Sequence, residues 1–231
     1  MIPTQTARQL ATLMCHATRE ILWQPAEEWV GKQNRGASLA LRVGSGQATY
    51  HRYDLRRHEH LITYGQHMVA AKHQPMAAEG WLSTREIRRR AYFAGEVSVL
   101  NLLAHTCCHE FAHLLQHCAG QRYYGSVHNR HFYQVLDELH NTGAALAVRR
   151  YLGEEAAKAG LPLPDRVFAN AHRMQPDRPW QVGDQVCFGE GRHEQHGQVI
   201  RVNRKTCTVA VSQPSRDLRY RVPVALLRHR H

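Results

Sequence analysis

The stretch HTCCHEFAHLLQHCAG, residues 105–120, places histidines at 105, 109, 113 and 117 and a glutamate directly after the second of them. Four-residue spacing stacks side chains along one face of a helix. With Phe111 at the origin of a helical wheel, Leu100, Ala104, Cys107, Leu114, Leu115 and Cys118 fall within about 60° of it, an apolar stripe that a core would cover. His109 and His113 fall together on the opposite side. Two imidazoles one turn apart can reach one ion, and Glu110 then points beside that ion, within hydrogen-bonding reach of a water on it. The segment reads as a helix with one core-facing stripe and, on its other side, the residue types of a zinc site with its general base.

In a chain with 18 histidines this spacing also arises by chance, so a third ligand decides the matter. His105 and His117 extend the row, but each stands eight positions from the farther of His109 and His113, ~12 Å along a straight helix, too far to join both on one ion. They read as supporting or surface histidines. A third histidine at the metzincin spacing is excluded, because its glycine and histidine would fall on Gln116 and Ala119. Glu138, on a following helix, is one alternative. His128 is the better candidate: it ends the loop YYGSVHN, whose length lets the chain turn back, and it starts the next helix. Phe132, one turn later, can pack against the histidine helix and fix the approach of His128.

Around this segment the chain alternates element types. Residues 4–22 carry Leu10, Leu13, Met14, Ala17 and Ile21 at helical spacing. SLALRV, ATYHRY and EHLITYG, between about 38 and 68, read as two or three short strands. The periodic segment from Ser83 to Gly120 opens on a capping-box pattern, Ser83 and Glu86, and a break near Gly95 divides it. RHFYQVLDELHNTGAALAVRRYLGEEAAKAG is helical with an interruption at 141–143. Residues 161–179 hold four prolines and read as a linker. Beyond it, short alternating runs with turn signals predict a small β-barrel over 180–231, in which Cys207, Val209 and Val211 share a buried face.

A zinc histidine–glutamate helix, with a third histidine 15 residues after the second and a phenylalanine four residues further on, resembles the SprT-like (Spartan-type) metalloprotease domain. The family's third-ligand motif is His-Gly-x-x-Phe; here it is His128-Asn129-Arg130-His131-Phe132, with asparagine replacing glycine, a residue that tolerates unusual backbone angles. The likeness covers roughly residues 5–150 and implies an α+β, zincin-like domain over 1–160. It further implies a Zn2+ ion held by His109, His113 and His128, and Glu110 as the general base of peptide hydrolysis. An extended substrate would then lie beside EHLITYG as the sheet edge. A stabiliser of the transition state is not identifiable; Tyr123, Tyr124 and His131 lie nearby in sequence. The C-terminal segment resembles SH3-like barrels of the KOW or Tudor type.

Lys and Arg outnumber Asp and Glu by 30 to 19, a net charge of +11, which favours polyanionic partners. Arg201, Arg204, Lys205, Arg216, Arg219 and Arg221 concentrate that charge in the barrel segment, with Trp180, Phe188 and Tyr220 available for base stacking. RR at 56–57 and RRR at 88–90 would extend the basic surface. The six cysteines form no C-x-x-C pair, so reduced buried thiols are expected. Neither a signal peptide nor an apolar run of membrane-spanning length is present, which predicts a cytoplasmic protein. The expected function is a zinc endopeptidase acting on proteins bound or crosslinked to DNA. The alternative is a non-enzymatic nucleic-acid- or protein-binding adaptor that keeps the zinc fold as a scaffold, and an intact Glu110 favours the enzyme.

Overall fold

The computed structural model describes residues 2–168, 180–189, 194–203, 206–213 and 216–229. The chain divides into two compact units, Met1–Phe168 and Ala169–His231, each with its own core, and its class is mixed α+β with two sheets.

The first unit opens with α1 (Thr4–Ala17), a π-helical segment (Thr18–Trp23) and α2 (Gln24–Gln33). Leu10, Met14 and Ala17 are buried, as the spacing predicts. The widened π turn occurs where Thr18 Oγ1 donates to Met14 O at 2.8 Å and accepts from the buried Tyr64 hydroxyl at 2.7 Å. Three strands follow: β1 (Ser38–Gly44), β2 (Tyr50–Asp54) and β3 (Glu59–Gly65). β3 is central, parallel to β1 and antiparallel to β2. EHLITYG is therefore not an edge: both its sides are paired, and the edge strand packed against the histidine helix is β2. Alternation along one strand cannot reveal the parallel β1–β3 pairing that puts it in the middle.

After the sheet come α3 (Gln66–Lys72), α4 (Pro75–Glu79) and α5 (Leu82–Arg90). The expected capping box is not formed. Trp81 occupies the N-cap of α5 without a side-chain bond, and both Ser83 and Glu86 are buried and turned to other partners. The break near Gly95 is real and spans 91–95, where Ala91, Phe93 and Ala94 adopt left-handed φ of 55°, 50° and 57°. Such angles are costly for residues with a Cβ. They place Tyr92 flat on His140, ring centroids 3.6 Å apart, with its hydroxyl donating to Asp137 at 2.6 Å.

α6 (Val99–Cys118) is the centre of the unit. Ser98 caps it by accepting from Asn101 N at 3.1 Å. A single apolar stripe was expected, but every residue of α6 except His109, Leu115 and His117 is buried, because it packs against α1, α7, α8 and both β2 and β3. α7 (Arg130–Asn141) and α8 (Ala144–Lys158) are separated at Gly143, φ 86°. Residues 161–168, expected to begin a linker, return along the start of α6: Phe168 N donates to Val97 O at 2.7 Å and Leu100 N to Pro164 O at 3.4 Å. The rest of that expected linker, 169–179, lies outside the described residues.

The second unit holds β4 (Gln185–Phe188), β5 (Gln195–Val202), β6 (Thr206–Gln213), β7 (Arg216–Pro223) and β8 (Arg228–His229), an antiparallel sheet in the order β7-β6-β5-β4-β8. Cys207, Val209 and Val211 face its core with Val186 and Val199. Among the described residues no ladder joins β7 to β8, so the expected barrel is an open five-stranded sheet here. The irregularity between Val199 and Arg201 resets the β5–β6 register. Val199 is fully buried while Arg201 is exposed, although a regular strand would point both to one face. All six cysteines are unpaired and buried. Among the described residues no helix is long and apolar enough to cross a membrane.

Candidate metal centre

His109 and His113 project from α6, and His128 from the loop before α7, so that one nitrogen of each lies within 4.8 Å of the others. His128 Nε2 is 3.2 Å from His113 Nε2 and 3.2 Å from His109 Nε2. Two nitrogens each 2.0–2.1 Å from a tetrahedral zinc stand about 3.3–3.4 Å apart, close to these separations.

The other ring nitrogens set the tautomers. His109 Nδ1 lies 3.0 Å from Glu86 Oε2, and a carboxylate can only accept, so Nδ1 carries the proton and Nε2 presents a lone pair. His113 Nδ1 lies 3.3 Å from Gln116 Oε1. The Gln116 amide is oriented by its nitrogen, which donates to Val127 O and Asn129 Oδ1, both at 3.0 Å, so its oxygen is left to accept from His113. His113 Nε2 therefore also presents a lone pair. At least two lone pairs meet His128 Nε2, which as a neutral ring can donate to one of them. A cation between the three satisfies all of them, and the donor set of three imidazoles suits zinc. Burial, then the charges of His109 and Arg122, pushes His113 down to about 3, and burial lowers His128 as well, which favours the neutral rings that a metal ion would require.

Phe132 braces the set. Its ring centroid is 4.9 Å from His109, 4.3 Å from His113 and 4.9 Å from His128. Asn129 N-caps α7, accepting from Phe132 N at 3.0 Å and donating to Gln121 O at 2.8 Å. Its φ is −80°, so backbone tolerance is not why asparagine serves at this position; its side chain ties the loop that carries His128.

A second group of candidate ligands, Glu86, His105 and His109, shares His109. Here Glu86 Oε2 accepts from His105 Nε2 at 2.9 Å and from His109 Nδ1 at 3.0 Å, which accounts for one carboxylate oxygen, while Glu86 Oε1 is buried without a hydrogen-bond partner. Burial alone would raise Glu86, but these two histidines hold its carboxyl well below the usual range. His105 is thus a supporting residue, joined onward to His140 at 3.1 Å. His117 packs on Tyr53 and His60, with ring centroids 4.5 and 5.5 Å away, and Glu138 lies on α7 outside both groups.

Glu110 is buried and lines the same cavity as the three histidines, a space of about 280 Å³. Burial raises its carboxyl, opposed by His109, Arg122 and Lys72. Two cations that the sequence reading did not single out, Lys72 and Arg122, also line this cavity. Arg122 Nη1 donates to His51 Nδ1 at 2.6 Å, which forces the His51 proton onto Nε2 and toward His60 Nδ1 at 3.0 Å. His60 Nε2 in turn faces Cys118 Sγ at 3.5 Å. This buried chain fixes the guanidinium at the cavity wall. Of the residues expected nearby, Tyr123 and Tyr124 are exposed, and His131 has a buried Nε2 without a hydrogen-bond partner.

In the second unit, Arg201, Arg219 and Arg221 are exposed. Thr208 of β6 pairs with Arg201 on one side and Arg221 on the other, so these arginines share the outer face of the sheet. Arg204 and Lys205 lie outside the described residues, as does the side chain of Arg216. The aromatics are not a free stacking platform. Trp180 is buried against His229, and Phe188 and Tyr220 pack on the core with their rings 5.3 Å apart. RRR at 88–90 is largely neutralised: Arg88 is held by both oxygens of Glu79 and Arg90 by Asp137.

Comparison of the chain with protein-family models, with curated proteins and with solved structures found no match in any of the three.

If Glu86 orients His109 for a metal, Glu86→Gln weakens zinc binding by about 10- to 100-fold, the usual cost of losing a ligand's hydrogen-bond partner. Competition against a chromophoric chelator measures this. An unchanged affinity would remove Glu86 from the site.

Proposed function

We propose that the chain is a zinc-dependent endopeptidase acting on proteins bound or crosslinked to DNA, with a zincin-like first unit of SprT type and a second unit built as an SH3-like module. The observation that carries the reading is the convergence of three imidazole nitrogens beside the buried carboxylate of Glu110 in one cavity. Bound there, zinc would supply Lewis acidity to polarise a peptide carbonyl and to acidify a water.

The chain's own residues account for the rest. Glu110 accepts the proton of the attacking water on a carboxylate oxygen and returns it to the departing peptide nitrogen; its burial, which raises its affinity for a proton, suits both transfers. Arg122, immobilised through His51, is a fixed cation for the negative charge that develops on the carbonyl oxygen. An extended substrate meets β2 rather than β3, since Thr49, Tyr50 and His51 line the cavity. His51 O already accepts from Arg122 Nη2 at 3.3 Å, so backbone pairing at that position would compete with the arginine. The net charge of +11 and the exposed Arg201, Arg219 and Arg221 support a polyanionic partner for the second unit.

Glu110→Gln keeps the shape of the side chain but cannot take a proton. It should abolish cleavage of an unfolded protein while one zinc per chain stays bound, read by metal analysis and by gel assay. Undiminished turnover in the zinc-loaded variant would assign the base elsewhere. No cleavage by the zinc-loaded native chain, with or without DNA, would favour the scaffold reading.

Replacing Arg201, Arg219 and Arg221 together by glutamate in the full chain should weaken duplex DNA binding and flatten its salt dependence. The slope of log K against log salt should fall by about 0.9 for each phosphate that is no longer neutralised. The same affinity and slope as the native chain would leave DNA binding to other surfaces.

A further inference from the structure

Lys72 ends α3 with 2 % of its surface exposed, yet it lines the cavity that holds Glu110 and the three histidines. Its ammonium has three protons to donate. Two go to Ser83 Oγ at 2.8 Å and Thr106 Oγ1 at 2.5 Å. The Thr106 hydroxyl proton is itself given to Leu102 O at 2.7 Å, so the threonine oxygen can only accept from the lysine. Among the described residues, neither a third acceptor nor an ion-pair partner completes the ammonium. A buried cation without a counter-charge is costly. Burial accordingly pulls Lys72 down to about 7, against the pull of Glu110. The two nearby carboxylates have other work: Glu86 is held by His105 and His109, and Glu110 serves the reaction.

The surroundings have the form of a side-chain pocket. Met68, Trp81 and Leu82 supply apolar walls, with the amine 5.5 Å from the Trp81 ring centroid, and the charged group lies at the floor. Thr106 is four residues before Glu110 on α6, so the lysine's anchor is one turn, ~6 Å, along the helix from the catalytic carboxylate. An extended substrate advances ~3.3–3.6 Å per residue, so the side chain or terminus of a residue adjoining the cleaved bond reaches that distance.

We propose that Lys72 is the specificity element of this enzyme: its ammonium takes the carboxylate of a substrate residue next to the scissile bond, either an aspartate or glutamate side chain or, where the same site cuts at a chain end, a free C-terminus. This inference rests on the endopeptidase reading for its substrate, and on the pocket geometry for the carboxylate. Binding supplies the missing acceptor and the missing counter-charge together, while an amide in the same place supplies only the acceptor.

The test uses the zinc-loaded full chain and a mixed-sequence peptide library, half of it amidated at the C-terminus, with the new termini sequenced. The native chain should prefer Glu over Gln at one flanking position by about 10- to 100-fold, the scale of one charge-assisted hydrogen bond. Lys72→Met, similar in length and free of charge, should erase the preference, and Lys72→Glu should turn it toward Lys and Arg. Selection that survives amidation identifies a side chain; selection confined to free-acid peptides identifies the C-terminus. No acidic preference in the native chain, or the same preference in a folded Lys72→Met protein, would overturn the proposal. If the native chain cleaves nothing, the endopeptidase reading fails, and the carboxylate site is judged by calorimetry on the zinc-loaded Glu110→Gln protein. There, N-acetylglutamate α-amide should bind more tightly than N-acetylglutamine α-amide, and Lys72→Met should abolish the difference. Equal binding of the two probes with Lys72 present would reject the site.

Discussion

Lone pairs repel, and two of the three imidazole nitrogens, those that stand 3.2 Å from His128, have their protons on the far side of the ring. The fold around them is organised to hold that arrangement. Glu86 and Gln116 fix the tautomers from behind, Phe132 packs on all three rings, and the Gln116 amide ties the loop carrying His128 to the helix carrying the other two. Gln116 is fully buried, so its hydrogen bonds are strong and expensive to lose. α5, which carries Glu86, packs against α6 after the left-handed turn at 91–95.

Electrostatics divides the cavity into parts. Its one carboxylate among the described residues, Glu110, sits among groups that are neutral or cationic, and burial keeps its proton affinity high. The two cations are held in different ways. Arg122 is secured by a directed chain of hydrogen bonds through His51 and His60 to Cys118, whereas Lys72 rests on two hydroxyls and, among the described residues, has no counter-charge bonded to it. A guanidinium remains charged in any such setting, while burial pushes an ammonium to give up its proton and a bound anion would hold it charged.

The four-residue spacing of His109 and His113 and the loop length before His128 were legible, because helical periodicity and chain reach translate directly into proximity. The supporting residues were not. Glu86 read as a capping residue, and nothing local distinguishes a carboxylate that bonds its own backbone from one that turns inward to two histidines on another helix. Lys72, Arg122 and Gln116 sit at positions set by how α3, the 121–129 loop and α6 pack, and packing of that kind has no sequence period. The same limit misplaced the sheet edge: each strand was recognisable from its alternation, but their order depends on a parallel pairing made by distant residues. In the C-terminal segment the buried alternation of Cys207, Val209 and Val211 was readable, while the β5 irregularity that turns Arg201 outward was not.

Whether His109, His113 and His128 form one zinc centre is decided by X-ray absorption at the zinc edge of the metal-loaded chain. The expected first shell holds imidazole nitrogens at about 2.0–2.1 Å from three histidines, completed by one light atom, with one imidazole lost in His128→Ala. A sulfur in the shell, a shell unaltered by His128→Ala, or failure of the chain to retain zinc would contradict it.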